Sequence, residues 1–348
     1  MRHCPTLSSI LLVVLTACTC SCEHLLMEDD MEATPRTTFE YLWKKVDEQY
    51  AFFDVKQVDW KAVHDSTAPH INDKMGKEAL FARLSTMLNT LDDGHVNLIS
   101  SFDVSHCPSI YQRMQEGHNY NSDLITEHYL GYDYHTTGGL RYTGLHHDSI
   151  LYVRYSSFSG SASVSQIAYV TQRYARAQGM IVDVRQNGGG EVQNVWNWLT
   201  MLPTHGELLY TTQIKRGRDH DDFSTPQAVH APPNNTTYKP YAKPVVVLID
   251  RGSFSATSFF ALSLRSLSSA VLIGDTTAGG LGLPNGGQLP NGWYYRFSIT
   301  RTLSPEGENF ENGVPPDEVV HLDATQAALG IDNIIERACS IIYNKASL

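Results

Sequence analysis

The chain is poor in cysteine, and none of it is arranged for a metal. Of six cysteines in 348 residues, Cys4, Cys18, Cys20 and Cys22 crowd the N-terminus, and only Cys107 and Cys339 lie in the body. There is no CxxC pair or other zinc spacing, so no cysteine-built metal centre is expected. Basic residues are in the minority: 26 Lys and Arg against 37 Asp and Glu give a formal net charge of -11. That balance argues against nucleic acid or an anionic membrane surface as a partner. The N-terminal apolar run, residues 10–15, is too short to span a bilayer. Lysine is missing altogether between Lys243 and Lys345. What is present is a 42% hydrophobic chain with 18% charged residues. That is enough apolar matter for one large domain, or one domain with a small satellite.

The N-terminus reads "MRHCPTLSSILLVVLTACTCSC". Arg2 and the short apolar run have the form of an export signal. Leu15-Thr16-Ala17-Cys18 resembles the bacterial lipobox, which implies lipidation of Cys18. An ordinary secretory signal cut nearby is the alternative, and both predict an exported chain. The expected organisation is a lipoprotein signal over 1–17 and a polar, acidic tether over 18–36. The anchor would hold the protein to a bacterial cell envelope.

"TTFEYLWKKVDEQYAFF" (37–53) predicts an amphipathic helix, with Phe39, Leu42, Val46 and Tyr50 on one side and Thr37 and Glu40 as a capping box. "KEALFARLSTMLNTLDDG" (77–94) predicts a second helix ended by Gly94. Residues 37–100 are therefore expected to form an N-terminal helical domain. Residues 101–135 show no period and are expected to be an irregular insertion. From 136 to 323, short apolar strands alternate with helices, the pattern of an α/β core with parallel strand pairs. Within it, 215–240 predicts a surface loop. Residues 324–348 predict closing helices, and Cys339 predicts a buried free thiol among their apolar residues.

Four stretches can carry chemistry. "VDVRQNGGGEV" (182–192) runs a buried strand into three glycines and a helix, a turn that brings bare N–H groups near a ligand. It lacks the GxGxxG spacing and the Lys-Ser/Thr of a phosphate loop. A tight packing turn explains it equally well. "DRGSFSATSFF" (250–260) places serines where a strand turns into a helix, and the helix dipole there favours developing negative charge. The position suits a nucleophile elbow, although the G-x-S-x-G spacing is absent. Such serines are also common as plain caps. "LDDGHVNL" (91–98) carries His95, one of 15 histidines. "GENFENGVPPDEVV" (307–320) carries Glu308, Glu311 and Asp317, which fit a solvated loop just as well.

The order of these stretches is specific. DGH, VDxRxNGGG, SxSA, "IGDTTAGG" and "GVPPD" together resemble the tricorn and C-terminal-processing serine peptidases, over roughly residues 37–320. The resemblance implies a crotonase-like α/β core. It implies Ser255 as nucleophile, and Gly189 and Ala256 as oxyanion-hole donors. One branch of these peptidases uses a lysine base, and Gly280 stands at that position here. The tricorn-like branch uses histidine and glutamate, which implies His95 as base and Glu311, with Glu308 as rival, as the acid that orients it. In that branch a hydroxyl residue often precedes the histidine, and here Gly94 does. The expected activity is hydrolysis of polypeptides through an acyl-enzyme, with no cofactor and no metal. An unperturbed imidazole titrates near about 6.5, so activity should fall on acidification through roughly 6–7. A non-catalytic binding protein on the same fold is the alternative, and an esterase using the same triad is a third reading.

Overall fold

The computed structural model describes residues 32–116 and 119–347. The signal over 1–17, Cys18 and the tether up to residue 31 lie outside them. Among the described residues no helix is long and apolar enough to cross a membrane.

The first helix, α1 (Pro35–Gln49), starts earlier than the sequence suggests. Thr34 is its cap and Pro35 its first residue; Thr37 sits at the third helical position and closes the capping box with Thr34. Proline fits there because its fixed φ suits the first turn and its missing N–H is not needed. After α2 (Trp60–Thr67) comes α3 (Lys77–Asn89), which stops short of Gly94. Asp92 takes a left-handed φ of 49°, which turns residues 91–95 out of the helix. This early stop frees the DGH segment to lead into β1 (Asn97–Ile99).

The insertion over 101–135 is more regular than its sequence pattern. It holds α4 (Pro108–Met114), a turn of helix at Ser122–Ile125 capped by Asn121, and a wider helical turn at Thr126–Leu130. Only Ile110, Leu124, Ile125 and Leu130 are buried in these elements. Such short elements bury too few apolar residues to show a helical period. The loop over 215–240 likewise contains a strand, whose mostly exposed residues hide it from a hydrophobic pattern.

The expected mixed α/β core is present. Strands β2 (His135–Thr137), β3 (Leu140–Leu145), β4 (Ile150–Tyr155) and β5 (Gly179–Asp183) share a sheet with later strands. Two further strands, β6 (Leu208–Ile214) and β7 (Gln227–His230), pair in a separate sheet. Next come β8 (Val245–Ile249), β9 (Ala270–Gly274), β10 (Pro284–Gln288), β11 (Tyr294–Ser298), β12 (Thr300–Leu303) and β13 (Glu318–Val319). The main sheet has the order β13-β9-β8-β5-β4-β3-β2. It is parallel from β4 to β13 and antiparallel through β3 and β2.

β4, β5 and β8 are buried on both faces, as parallel strands between helical layers must be. Their side chains alternate between two cores. Leu151, Val153, Met180, Val182, Val245 and Val247 pack on one face. That face is covered by α5 (Val164–Arg173), α6 (Val192–Leu199) and α7 (Ala256–Arg265). Ile150, Tyr152, Ile181, Val246 and Leu248 pack on the other, under α8 (Asn333–Ala346). Arg185 fixes the start of α8 to the end of β5 by buried bonds to Asp183 (2.6 Å) and Asp332 (2.9 Å).

A third core joins distant parts of the chain. Phe39, Leu42 and Leu84 from the N-terminal helices pack with Leu98 of β1 and with Tyr295 and Phe297 of β11. The antiparallel sheet β1-β11-β10 thus completes the N-terminal unit with strands from the C-terminal half. That shared core carries His95 to the main sheet.

Candidate active site

Ser255 stands where β8 turns into α7. Its φ of 57° and ψ of -119° are strained for a residue with a Cβ, as at a nucleophile elbow. The strain is held from both sides: Ser255 N–H donates to the Gly279 carbonyl (2.9 Å) and Phe254 N–H to the Asn187 carbonyl (3.0 Å). Ser255 makes no side-chain capping bond, so its hydroxyl is free for other work. The neighbouring hydroxyls are committed. Ser253 donates to the Val184 carbonyl, Thr257 to the Asn187 carbonyl and Ser258 to Thr277 Oγ1, each at 2.9 Å.

His95 Nε2 lies 3.0 Å from Ser255 Oγ. The imidazole is 5% exposed and packs against the Phe254 ring. Burial is the largest influence on it and lowers its pKa below the usual value; the Asp93 charge opposes that, while Arg296 reinforces it. Nδ1 is buried without a hydrogen-bond partner. The Gly282 carbonyl stands beside the ring and favours its protonated form, but not in hydrogen-bond geometry.

Glu311 and Glu308 are separated by the structure. Glu308 is exposed, whereas Glu311 is 2% exposed. The direct Glu311–His95 bond expected of an orienting acid is not made. Two backbone N–H groups hold its carboxyl group instead: Leu281 (2.7 Å) and Gly282 (3.0 Å) both donate to Oε2. Glu311 thereby fixes the segment whose Gly282 carbonyl faces the imidazole. Burial, and then the charge of Asp93, push Glu311 up to about 8.

Asp93 was not singled out by the sequence reading. It is 1% exposed. Oδ1 accepts the His95 backbone N–H at 2.7 Å, and Oδ2 accepts the hydroxyls of Tyr50 (3.0 Å) and Ser298 (3.3 Å). Three donors make it a well-satisfied acceptor beneath the histidine. Asn187 was missed too. Its amide donates to the Tyr155 carbonyl, and its Oδ1 accepts from Gly189 N–H (3.0 Å) and Phe158 N–H (3.3 Å). One side chain therefore shapes the whole glycine turn; its place just before three glycines was the available signal.

Gly189 lies against the nucleophile, with φ of 97°; a Cβ there would fall 2.8 Å from Ser255 Cβ. Its N–H, expected to serve an oxyanion, is bonded to Asn187 Oδ1. Ala256 opens α7, where an N–H has no acceptor within the helix. Gly280, with φ of 77°, has the Phe254 ring 2.4 Å from where its Cβ would be, so no lysine fits. The same ring lies 2.8 Å from a Cβ on Gly94, which leaves no space for a hydroxyl residue before the histidine. The pair opens into a cleft of about 640 Å³, whose walls include Ile110, Tyr111 and Met114 from the insertion and Arg296 from β11.

Residues 149–320 match Peptidase family S41, and residues 31–89 match the Tricorn protease C1 domain. The crystal structure of a proposed peptidase from Parabacteroides merdae is 37% identical, with a TM-score of 0.83, covering 89% of this chain and 97% of that one. The chain belongs to peptidase family S41. It is thus a serine-type peptidase by family. The C-terminal processing peptidase of Tetradesmus obliquus chloroplasts is 28% identical over 174 residues, 49% of this chain and 35% of the relative. The chain thus spans about a third of that curated relative's length. Mature CPAF shares the fold at 13% identity and a TM-score of 0.67, covering 89% of this S41 chain and 98% of its own.

Proposed function

We propose that this S41 chain hydrolyses peptide bonds in polypeptides through an acyl-enzyme on Ser255. The observation that carries the reading is the 3.0 Å contact between His95 Nε2 and a strained, uncapped Ser255. Neutral His95 takes the hydroxyl proton as Oγ attacks the carbonyl carbon. The tetrahedral oxyanion is stabilised by N–H groups of Ala256 and of Gly189, the latter turned from Asn187. The imidazolium gives its proton to the leaving amine. Water then attacks the acyl-enzyme with His95 again as base, and Ser255 is regenerated. Asp93 holds the histidine backbone and stabilises the imidazolium by its charge. Glu311 positions the ring through the 281–282 backbone.

The rest of the reading comes from sequence. Export and anchoring through a lipid on Cys18 would place the cleft in a bacterial cell envelope, on the periplasmic side or the outer surface, facing polypeptide substrates. The test is labelling with a fluorophosphonate probe. Wild type should react, and Ser255→Ala and His95→Ala should not. Labelling that persists in Ser255→Ala, or is absent from wild type, would favour a binding protein on this fold.

A further inference from the structure

We propose that His146, Glu336 and Cys339 form a structural site for a divalent transition-metal ion of the zinc class. The three side chains bring an imidazole nitrogen, a carboxylate oxygen and a thiol sulfur within 4.8 Å of one another. His146 comes from the turn between β3 and β4, and the other two from α8. Sequence spacing could not reveal such a set, because its members lie on distant elements. Glu336 and Cys339 are three apart on one helix and so share a face.

The donor set selects the ion. Tetrahedral zinc holds sulfur at about 2.3 Å and nitrogen or oxygen at about 2.0–2.2 Å. Ligands at those distances stand roughly 3–4 Å apart. The exposed His146 needs only a small movement to close the gap. Mixed nitrogen, sulfur and oxygen donors suit zinc or cobalt and not calcium or magnesium. On ligation the thiol proton leaves to solvent. One thiolate, one carboxylate and a neutral imidazole then balance a dication. A neutral complex suits the apolar surroundings of Cys339, among Ile335, Ala338 and Ile342. The open side at His146 admits a water as fourth ligand.

The supporting groups are also present. Tyr343 OH lies 3.0 Å from His146 Nδ1, and Tyr129 OH donates to Glu336 Oε1 at 2.8 Å. Such outer contacts orient ligands at metal sites. The ion would tie α8 to the turn that starts β4. Ser255 follows the opposite end of the parallel strands, so this site is separate from the catalytic one.

The test uses the metal-stripped full chain, with cobalt(II) as optical probe and zinc(II) in thermal melts. Wild type should show a near-ultraviolet thiolate-to-cobalt band that Cys339→Ser loses and His146→Ala weakens at least severalfold. Zinc should raise the Tm of wild type by several degrees and leave that of His146→Ala unchanged. His146 is exposed, so its replacement is compatible with folding. Fluorophosphonate labelling of Ser255 should be the same in all three proteins, independent of the metal. A band equally strong in wild type and Cys339→Ser would assign cobalt to the N-terminal cysteines and overturn the site. So would no band at all, or an equal zinc shift in His146→Ala.

Discussion

Asp93 Oδ1 accepts the backbone N–H of His95 at 2.7 Å, so the acid that acts on the imidazole sits two residues from it in the chain. Its other oxygen is held by Tyr50 and Ser298, from helix α1's end and from β11. The DGH turn is therefore fastened to both halves of the third core. Asp93→Asn keeps the shape and removes the charge. The charge raises the His95 pKa. Its loss should move the acid limb of kcat/KM to lower pH. It should also lower the plateau by about 10–100-fold, since the imidazolium loses a stabilising anion at about 1.4 kcal/mol per decade. A pH–rate profile on a peptide substrate checks both; an unchanged plateau would leave Asp93 a turn-former only.

The wild-type profile itself should differ from that of a free imidazole. Burial lowers the His95 pKa. The active neutral base then persists to more acidic pH, and the acid limb should fall below about 6.5. Sequence alone suggested the 6–7 range, because it cannot report burial. His95→Ala should remove nearly all turnover, because a nucleophile and its base act as a unit. Substantial activity with an unchanged profile in that variant would assign the base elsewhere.

Glu311 titrates in the opposite sense. Its folded pKa is raised to about 8 against an ordinary 4.5. Between those values the unfolded chain has lost the proton and the folded chain has kept it. The group's contribution to stability is therefore complete below about 4.5 and is lost as pH rises towards 8. Glu311→Gln cannot ionise and should escape that loss. Relative to wild type, the variant should gain more than about 1 kcal/mol between pH 5 and pH 8 by urea unfolding. A difference that does not grow with pH would mean that Glu311 is ionised in the folded state at neutral pH.

The strands and long helices were legible because their residues declare burial. β8 is a continuous apolar run and β4 and β5 are mostly apolar, and α1 and α3 show helical spacing of Phe39, Leu42, Leu84 and Leu88. The insertion was not legible, since a helix as short as α4 buries only Ile110. Ser255, His95 and Glu311 were singled out through the order of their motifs; the fold sets His95 Nε2 3.0 Å from Ser255 Oγ, while Glu311 bonds to the 281–282 backbone. The partners of each were hidden. Asp93 is held by Tyr50 and Ser298, and Glu311 by two backbone N–H groups. No local pattern encodes contacts across more than forty residues or made by the main chain.

The strain at Ser255 gives a prediction in which stability and activity part. At φ of 57° and ψ of -119° a Cβ is penalised, by about 1–3 kcal/mol for such conformations. The surrounding bonds from Gly279 and Asn187 hold the residue there regardless of its side chain. Ser255→Ala keeps the Cβ, so the strain remains. Ser255→Gly removes it, at a cost of about 0.4–1 kcal/mol from greater freedom of the unfolded chain. The glycine variant should therefore be more stable than the alanine variant by about 1 kcal/mol, and both should be inactive. Paired urea titrations measure the difference without any substrate. If the alanine variant proves the more stable of the two, the elbow at Ser255 is not strained.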